Sequence, residues 1–154
     1  MQRTAVLVKP DAMQRGLIGE IITRFERKGL KLVGMKMVAM SDTQLTDWYE
    51  EHKDKSFFGD LKNFMGSLPI VAMAWQGIDA VKVVRKLVGA TSGREAEAGS
   101  IRGDFGMSQQ LNLIHASSDP AAGERELSIV FGKDEIFDYS GAMDSTVYAD
   151  YERK

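Results

Sequence analysis

Short runs of apolar residues alternate along this chain with stretches in which apolar residues recur at helical spacing. Residues 5–8 and 69–75 are continuous apolar runs, which are typical of strands buried on both faces. Residues 30–40 and 111–115 are two further predicted strands. Strands separated by helices restrict the chain to folds in which a sheet packs against helices.

The predicted helices have recognisable ends. Ser41 with Gln44 three residues later is the pattern of a capping box. Asp119 before Pro120 places an N-cap residue ahead of a proline at the first helical position. With the glycine positions and the apolar spacing, these signals predict helices over residues 18–28, 42–52, 57–65, 78–88 and 120–131.

The order of these elements is strand, helix, strand, a helical insertion, strand, helix, strand and a final helix. This order matches the split βαβ, ferredoxin-like pattern. It predicts an α/β protein of the α+β kind, with a four-stranded antiparallel sheet and helices packed on one face. Residues 89–110, rich in glycine, are expected to form a long loop, and residues 132–154 a C-terminal extension. Without a repeat or linker, the chain is expected to form one domain, 1–154.

Composition argues against several classes of function. The absence of cysteine excludes disulfides, cysteine-ligated zinc and thiol catalysis. A net charge of -2 argues against a nucleic-acid-binding protein. The N-terminus lacks the pattern of a signal peptide, and the longest apolar run, residues 69–75, is too short to span a bilayer. We therefore expect a cytoplasmic protein without a membrane partner.

His115 lies between a predicted strand and the helix that follows Asp119. A neutral imidazole is a good nucleophile near pH 7, and the free N–H groups of a helix N-terminus favour an anion. This placement indicates a histidine that accepts a phosphoryl group. The other histidine, His52, is interpreted as a surface residue without a role.

Four residues are candidate phosphate ligands, and each has a structural alternative. Lys9 ends the first strand, where it either binds phosphate or extends its ammonium into solvent. Arg85 lies about 40° from Val81 around its helix, inside the apolar arc, so it needs an anionic ligand or an ion pair with a surface carboxylate. Thr91 and Arg102 belong to the long loop, where they bind phosphate or are ordinary solvated side chains, and Arg102 has the further alternative of a salt bridge to Asp104.

The last helix and the helical insertion supply three further candidates. Glu126 lies about 40° from Val130, so its carboxylate either orients the imidazole of His115 or forms a surface ion pair. Tyr49 and Phe57 are core residues by default, although an exposed phenylalanine can stack on a base. The chain has neither the phosphate-binding loop motif nor the protein-kinase motifs, so any phosphate must be held in another way.

Six segments, in order and at matching spacing, resemble the nucleoside diphosphate kinase family over nearly the whole chain. They are residues 8–12 (VKPDA), 14–21 (QRGLIGEI), 53–58 (KDKSFF), 89–91 (GAT), 101–105 (IRGDF) and 112–117 (NLIHAS). The resemblance implies a ferredoxin-like fold and transfer of the terminal phosphoryl group from a nucleoside triphosphate, typically ATP, to a nucleoside diphosphate. It also implies a ping-pong mechanism through a phosphohistidine, with magnesium held by the nucleotide phosphates.

The resemblance further implies a role for each candidate. His115 would be the nucleophile, with Tyr49, Ser117 and Glu126 supporting the imidazole and the phosphate. The nucleotide-binding residues would be Lys9, Arg85, Thr91 and Arg102 at the phosphates, Asn112 at the ribose and Phe57 at the base. Family members form homo-oligomers, and the aromatic C-terminal stretch of this chain favours a hexamer over a tetramer.

The chain departs from the family pattern at several positions around the site. Ala116 stands in place of a glycine, and Ser118 in place of an aspartate, with Asp119 one position later. Ser56 replaces a proline, and Gln109 replaces an apolar residue that covers the base. These departures predict a slightly weaker base clamp. They also leave open an alternative, a catalytically weak nucleotide-binding or scaffolding member of the family.

Overall fold

The structure is a computed structural model, and it describes residues 1–141 and 144–153. The strands are β1 (Gln2–Val8), β2 (Lys31–Val38), β3 (Ile70–Gly77) and β4 (Ile114–Ala116). The helices are α1 (Pro10–Gln14), α2 (Ile18–Lys28), α3 (Asp42–Trp48), α4 (Phe58–Met65), α5 (Ala80–Val88), α6 (Ile101–Phe105), α7 (Pro120–Val130) and α8 (Asp144–Val147). Short 3-10 turns follow α3 and α7, at Glu50–His52 and Lys133–Glu135.

The four strands form one antiparallel sheet in the order β2-β3-β1-β4. β1 lies inside the sheet and pairs with β3 along its whole length. On its other side β1 pairs with the short β4, which places His115 opposite Leu7. The four-stranded antiparallel sheet predicted from the order of elements is confirmed.

Helices cover both faces of this sheet, so the prediction that they pack on one face is wrong. Val6 and Val8 of β1 pack on one side in a core with α2 and α5. Ala5 and Leu7 pack on the other side with α3, α4 and α7. Successive side chains of a strand point to opposite faces, and a strand without polar positions must therefore be covered twice. The continuous apolar run at residues 5–8 correctly predicts that this strand is buried on both faces.

Two helices are shorter than predicted. α3 ends at Trp48, and residues 50–52 form a 3-10 turn instead of continuing the helix to residue 52. α5 begins at Ala80, because Asp79 has a left-handed φ of 51° that a regular helix does not allow.

The long loop and the fourth strand also differ from prediction. The stretch 89–110 is not a continuous loop, since it contains α6, which begins where the Ser100 hydroxyl accepts a backbone N–H. β4 begins at Ile114 rather than at residue 111, because Leu113 has a φ of 74°. A residue in the left-handed region cannot continue an extended strand. A sharp turn therefore comes immediately before the strand that carries the candidate nucleophile.

The predicted C-terminal extension packs along the edge strand β2. The Phe137 N–H donates a hydrogen bond of 2.8 Å to the Val33 carbonyl, and the Tyr139 hydroxyl donates one of 2.6 Å to the Leu32 carbonyl. Residues 142, 143 and 154 of this extension lie outside the described residues. Within the described part of the chain, no helix has the length and apolar character needed to cross a membrane.

Candidate active site

A cleft of about 660 Å³ opens at the end of β1, beside β4 and α7. It brings together the candidate residues except Ser117, which lies behind its wall. We call its more buried part the floor, formed by Lys9, Arg102, Asn112, His115 and Glu126. We call its exposed part the rim, formed by Phe57, Arg85, Thr91 and Gln109. Tyr49 is buried in the wall between the two.

Among the described residues, the imidazole of His115 is hydrogen-bonded at only one of its two nitrogens. Its Nε2 lies 3.0 Å from Glu126 Oε1, and the edge of the Trp48 ring system packs against it at a centroid distance of 5.1 Å. A carboxylate accepts the hydrogen bond, so Nε2 carries the proton and Nδ1 keeps its lone pair. Nδ1 has no hydrogen-bond partner among the described residues, and His115 lines the cleft. Nδ1 is therefore the nitrogen that is free to react.

Glu126 is itself fixed by a second hydrogen bond. The residue is 4% exposed, and its Oε2 accepts a hydrogen bond of 2.7 Å from Ser117 Oγ. Ser117 is fully buried, and its Oγ accepts the backbone N–H of Ala5 at 3.1 Å. This chain of hydrogen bonds ties the imidazole to the central strand β1. Glu126 therefore contacts the imidazole of His115 instead of forming a surface ion pair.

Lys9 and Asn112 form a buried pair. Lys9 Nζ donates a hydrogen bond of 2.7 Å to Asn112 Oδ1, and both residues are less than a tenth exposed. The pKa of Lys9 is lowered to about 8, chiefly by burial and secondly by the charge of Arg102, while Asp11 acts in the opposite direction. The ammonium therefore stays in the protein instead of extending into solvent, and it lacks a full counter-charge.

Arg102 is anchored by main-chain carbonyls. Its Nε donates to Asn112 O at 3.1 Å, and its two terminal nitrogens donate to Gly89 O at 3.2 Å and to Ile114 O at 2.6 Å. Three donors are used, which leaves two of the five N–H groups of a guanidinium. The pKa of Arg102 is lowered to about 10, chiefly by burial and secondly by the charge of Arg85. Arg102 and Arg85, two cations held close together, suit an anionic ligand.

Arg85 and Thr91 are exposed on the rim. Val81 and Val88 of the same helix are buried, so the guanidinium lies at the border of the apolar face of α5. Among the described residues Arg85 has no ion pair with a carboxylate. The ion pair considered from the sequence is absent there, and the side chain borders the cleft.

Aromatic rings form one wall of the cleft, and His52 is among them. The His52 ring is stacked on Tyr49 at a centroid distance of 6.3 Å and lies 5.6 Å from the ring of Phe57. The interpretation of His52 as a surface residue is therefore wrong, because it is half-buried and lines the cleft. Phe57 is 48% exposed, which leaves a ring face open to a ligand. Periodicity gave no signal for His52, since it lies in a 3-10 turn.

The Tyr49 hydroxyl is buried, and it has no hydrogen-bond partner among the described residues. Burial raises the pKa of Tyr49 well above its ordinary value, and the negative charge of Glu126 adds to the effect. The hydroxyl is therefore a neutral donor near neutral pH.

The altered residues after His115 are compatible with the local backbone. Ala116 does not have a positive φ, so the methyl group in place of glycine causes no backbone strain. Asp119, although displaced by one position, still caps α7, because its Oδ1 accepts the Ala122 N–H at 2.9 Å. The Ser118 hydroxyl donates to the other oxygen of Asp119 at 2.8 Å. The N-terminus of α7 is thus capped by the side chains present in this chain.

Known proteins resemble this chain over its full length. The family model described as nucleoside diphosphate kinase matches residues 2–136. A nucleoside diphosphate kinase of Parabacteroides distasonis is 49% identical over 152 residues, which cover 99% of each chain. One of Archaeoglobus fulgidus is 49% identical over 148 residues, covering 96% of this chain and 98% of its own. The chain belongs to the nucleoside diphosphate kinase family.

Solved structures of nucleoside diphosphate kinases have the same fold. A crystal structure of a family protein from Babesia bovis has a TM-score of 0.94 and 44% identity, covering 96% of this chain and 100% of that one. A nucleoside diphosphate kinase of Halobacterium salinarum, solved in complex with CDP, has a TM-score of 0.93 and 47% identity, covering 96% and 98%. The ferredoxin-like fold expected from the resemblance is confirmed.

As a nucleoside diphosphate kinase, this protein is a phosphotransferase of nucleotide metabolism. It binds nucleotides and moves a phosphoryl group from a nucleoside triphosphate to a nucleoside diphosphate. Kinases of this family act with a divalent cation. The described residues contain no group of three or more histidine, aspartate or glutamate side chains arranged to hold a metal ion.

Proposed function

We propose that Nδ1 of His115 is the nucleophile of this kinase and carries the phosphoryl group between two half-reactions. The single observation behind this assignment is the 3.0 Å contact between His115 Nε2 and Glu126, which leaves Nδ1 as the free ring nitrogen. The lone pair of Nδ1 attacks the terminal phosphorus of the triphosphate, and the bond to the bridging oxygen breaks. The nucleoside diphosphate leaves with that electron pair. A second diphosphate then attacks the phosphohistidine, the phosphorus–nitrogen bond breaks, and Nδ1 regains its lone pair.

Glu126 and Ser117 support this step from behind the ring. As Nδ1 forms its bond to phosphorus, positive charge develops on the imidazole, and the carboxylate of Glu126 stabilises it through Nε2. Ser117 keeps the carboxylate oriented through its hydrogen bond of 2.7 Å. We assign the buried Tyr49 hydroxyl, which lacks a partner among the described residues, the role of a donor to the transferred phosphoryl group.

The cations of the cleft bind the phosphates. Negative charge spreads over the equatorial oxygens in the transition state, and fixed cations are the main means of stabilising it. Lys9 and the two remaining N–H groups of Arg102 act from the floor, where burial strengthens their charge interactions. Arg85 and Thr91 act from the rim and bind the outer phosphate oxygens.

The base lies toward the rim, and the sugar lies between the base and the floor. Asn112 donates its amide hydrogens to Thr91 O at 2.9 Å and to Gln109 O at 2.8 Å, and its Oδ1 accepts from Lys9. The second lone pair of Oδ1 remains for a ribose hydroxyl. The open face of Phe57 stacks on the base. Such a site accepts any base, because stacking does not read hydrogen-bonding edges.

We propose Mg²⁺ as the divalent cation, bound through the nucleotide phosphates. Of the two carboxylates that line the cleft, Glu126 is already engaged by His115 and Ser117. Glu51 is exposed and is the carboxylate that would face the hydrated cation. When bound, the cation would neutralise phosphate charge and orient the phosphates. Magnesium prefers carboxylate and phosphate oxygens, so this donor set fits it.

We further propose that the chain is one kinase domain, that it works in the cytoplasm and that it forms a homo-oligomer, with a hexamer favoured over a tetramer. The exposed side chains of Met35 and Met37 on β2 support self-association, because exposed apolar side chains favour association with a second surface. Light scattering tests the oligomer, and a monomer at micromolar concentration would contradict it. Cell fractionation followed by immunodetection tests the location, and recovery outside the cytoplasmic fraction would contradict it.

Labelling with a γ-³²P nucleoside triphosphate tests the assignment of His115. The wild-type protein should acquire phosphate that is lost in acid and kept in base, and His115→Ala should acquire none. The chain offers a matched control in its other histidine, because His52→Ala should still be labelled at the end point. Label that survives His115→Ala would overturn the assignment. Nucleotide binding by the wild type without label would support the catalytically weak alternative instead.

A further inference from the structure

Leu113 has an unusual backbone conformation close to the proposed nucleophile. It is fully buried, its φ is 74°, and it precedes His115 by two residues. Non-glycine residues adopt this left-handed region rarely, and aliphatic ones pay a steric cost there. Such a conformation persists only where the surrounding structure imposes it. The orientation of β4, and with it that of His115, therefore depends on whatever holds this turn.

Two side chains and one backbone N–H hold the turn from outside. The Leu113 N–H donates to Asp11 Oδ2 at 3.0 Å, and the Leu113 carbonyl accepts the backbone N–H of Lys9 at 2.9 Å. Arg102 donates to the carbonyls on either side of Leu113, at 3.1 Å and 2.6 Å. Of these contacts, the one from Asp11 is the side-chain contact made to Leu113 itself.

Asp11 also faces the two cations of the floor. Its second oxygen, Oδ1, is buried and has no hydrogen-bond partner among the described residues. Its negative charge acts to raise the pKa of both Lys9 and Arg102, against the lowering by burial. Asp11 thus meets the turn through one oxygen, while its charge acts on the proposed phosphate ligands.

We propose that Asp11 is a positioning residue, which holds the Leu113 turn so that His115 is aimed into the cleft and which balances the charges of Lys9 and Arg102 until a nucleotide arrives. This inference rests on the proposed function of His115. An acidic residue in the first turn of a helix ordinarily stabilises that helix. Here α1 has only five residues, and Asp11 Oδ2 accepts from Leu113, 102 positions away, instead.

Two variants separate the hydrogen bond of Asp11 to the Leu113 N–H from the effect of its negative charge. Asp11→Ala removes both the acceptor for the Leu113 N–H and the charge. Asp11→Asn removes the charge and keeps an acceptor of the same shape. Misplacing a reacting group by about 1 Å can cost on the order of 100-fold in rate, so Asp11→Ala should slow phosphorylation of His115 at saturating triphosphate by a factor of that order. Asp11→Asn should slow it less.

Binding should change in the opposite direction from rate. Removing a negative charge beside Lys9 and Arg102 strengthens their attraction for phosphates. At pH 6.5, where Lys9 is charged, both variants should therefore bind a nucleoside diphosphate as tightly as the wild type or more tightly. A merely destabilised protein would lose rate and binding together. Glu20→Ala, which removes the first-turn acid of α2 away from the cleft, is the matched control and should change neither.

Rapid-quench labelling and diphosphate titration of the three variants test the inference. Wild-type phosphorylation rates in Asp11→Ala, or a loss of rate and affinity in proportion to the unfolded fraction, would overturn it. If Asp11→Ala does not fold, Asp11→Asn decides by the same titration, and weaker diphosphate binding in it would overturn the charge-balancing role. A wild type that is not labelled on His115 would overturn the proposed function. A labelled wild type with an equally fast Asp11→Ala would overturn this inference alone.

Discussion

In the floor of the cleft, polar side chains are hydrogen-bonded before any ligand is present, whereas those of the rim are exposed. Lys9 is fixed by Asn112, and His115 by Glu126. Arg85 and Thr91 on the rim are exposed to solvent. Groups that are already oriented stabilise a transition state without reorganisation, while groups that must be ordered by the ligand lose conformational entropy on binding. The difference indicates that floor residues determine the rate of transfer and rim residues determine affinity.

The largest effect is expected at the floor, in Glu126→Ala. Without the carboxylate, Nε2 no longer holds its proton in a fixed hydrogen bond and the charge on the phosphorylated ring is not stabilised. The value of kcat should fall by about 100-fold, with little change in nucleotide KM. Steady-state kinetics measure both. Glu124→Ala, an exposed position of the same helix, is the control, and an equal loss there would remove the distinction.

At the rim, Arg85→Ala should act on affinity. A charged hydrogen bond is worth about 1.5 kcal/mol or more, so KM for the nucleotide should rise by about 10-fold. The value of kcat should change far less than in Glu126→Ala. Lys82→Ala removes an exposed cation from the same helix outside the cleft lining and should leave KM nearly unchanged. A loss in kcat alone for Arg85→Ala would contradict the division into floor and rim.

Lys9 makes the floor sensitive to alkaline pH. Its pKa is lowered to about 8, so it is charged below that pH and loses its positive charge as the pH rises. The value of kcat/KM, which reports the free enzyme, should fall by about 4-fold between pH 7 and pH 8.5. Lys9→Arg, which keeps its charge over this range, should flatten this limb whatever its absolute activity. If kcat/KM falls equally over this pH range in Lys9→Arg, another group titrates.

The smallest effect is expected from Gln109→Val at the rim. Gln109 is exposed in the cleft lining, and an apolar side chain there would cover the second face of a base stacked on Phe57. Burying at most roughly one further methylene corresponds to a KM that is lower by at most about 4-fold, for purine and pyrimidine diphosphates alike. Unchanged or higher KM values would place the base elsewhere.

Much of the fold and of the site could be predicted from local sequence patterns. The capping residues Ser41 and Asp119 accept the expected backbone N–H groups, and the apolar run at residues 5–8 is buried on both faces. The segment around Leu113 could not be predicted, because its left-handed φ is imposed by distant contacts on an aliphatic residue that steric repulsion ordinarily keeps out of that region. Neither could His52, whose place in the wall depends on a 3-10 turn.

Local patterns establish which residues are available for chemistry and the order of the elements that carry them, because caps, apolar spacing and motifs each span a few neighbouring residues. Which of those residues meet follows from long-range contacts that no local pattern contains. Lys9 and Asn112 are 103 positions apart, and Asp11 and Leu113 are 102 apart, yet each pair is hydrogen-bonded. These contacts exist because β1 lies inside the sheet beside β4, and only that pairing brings the end of one strand to the turn before the other.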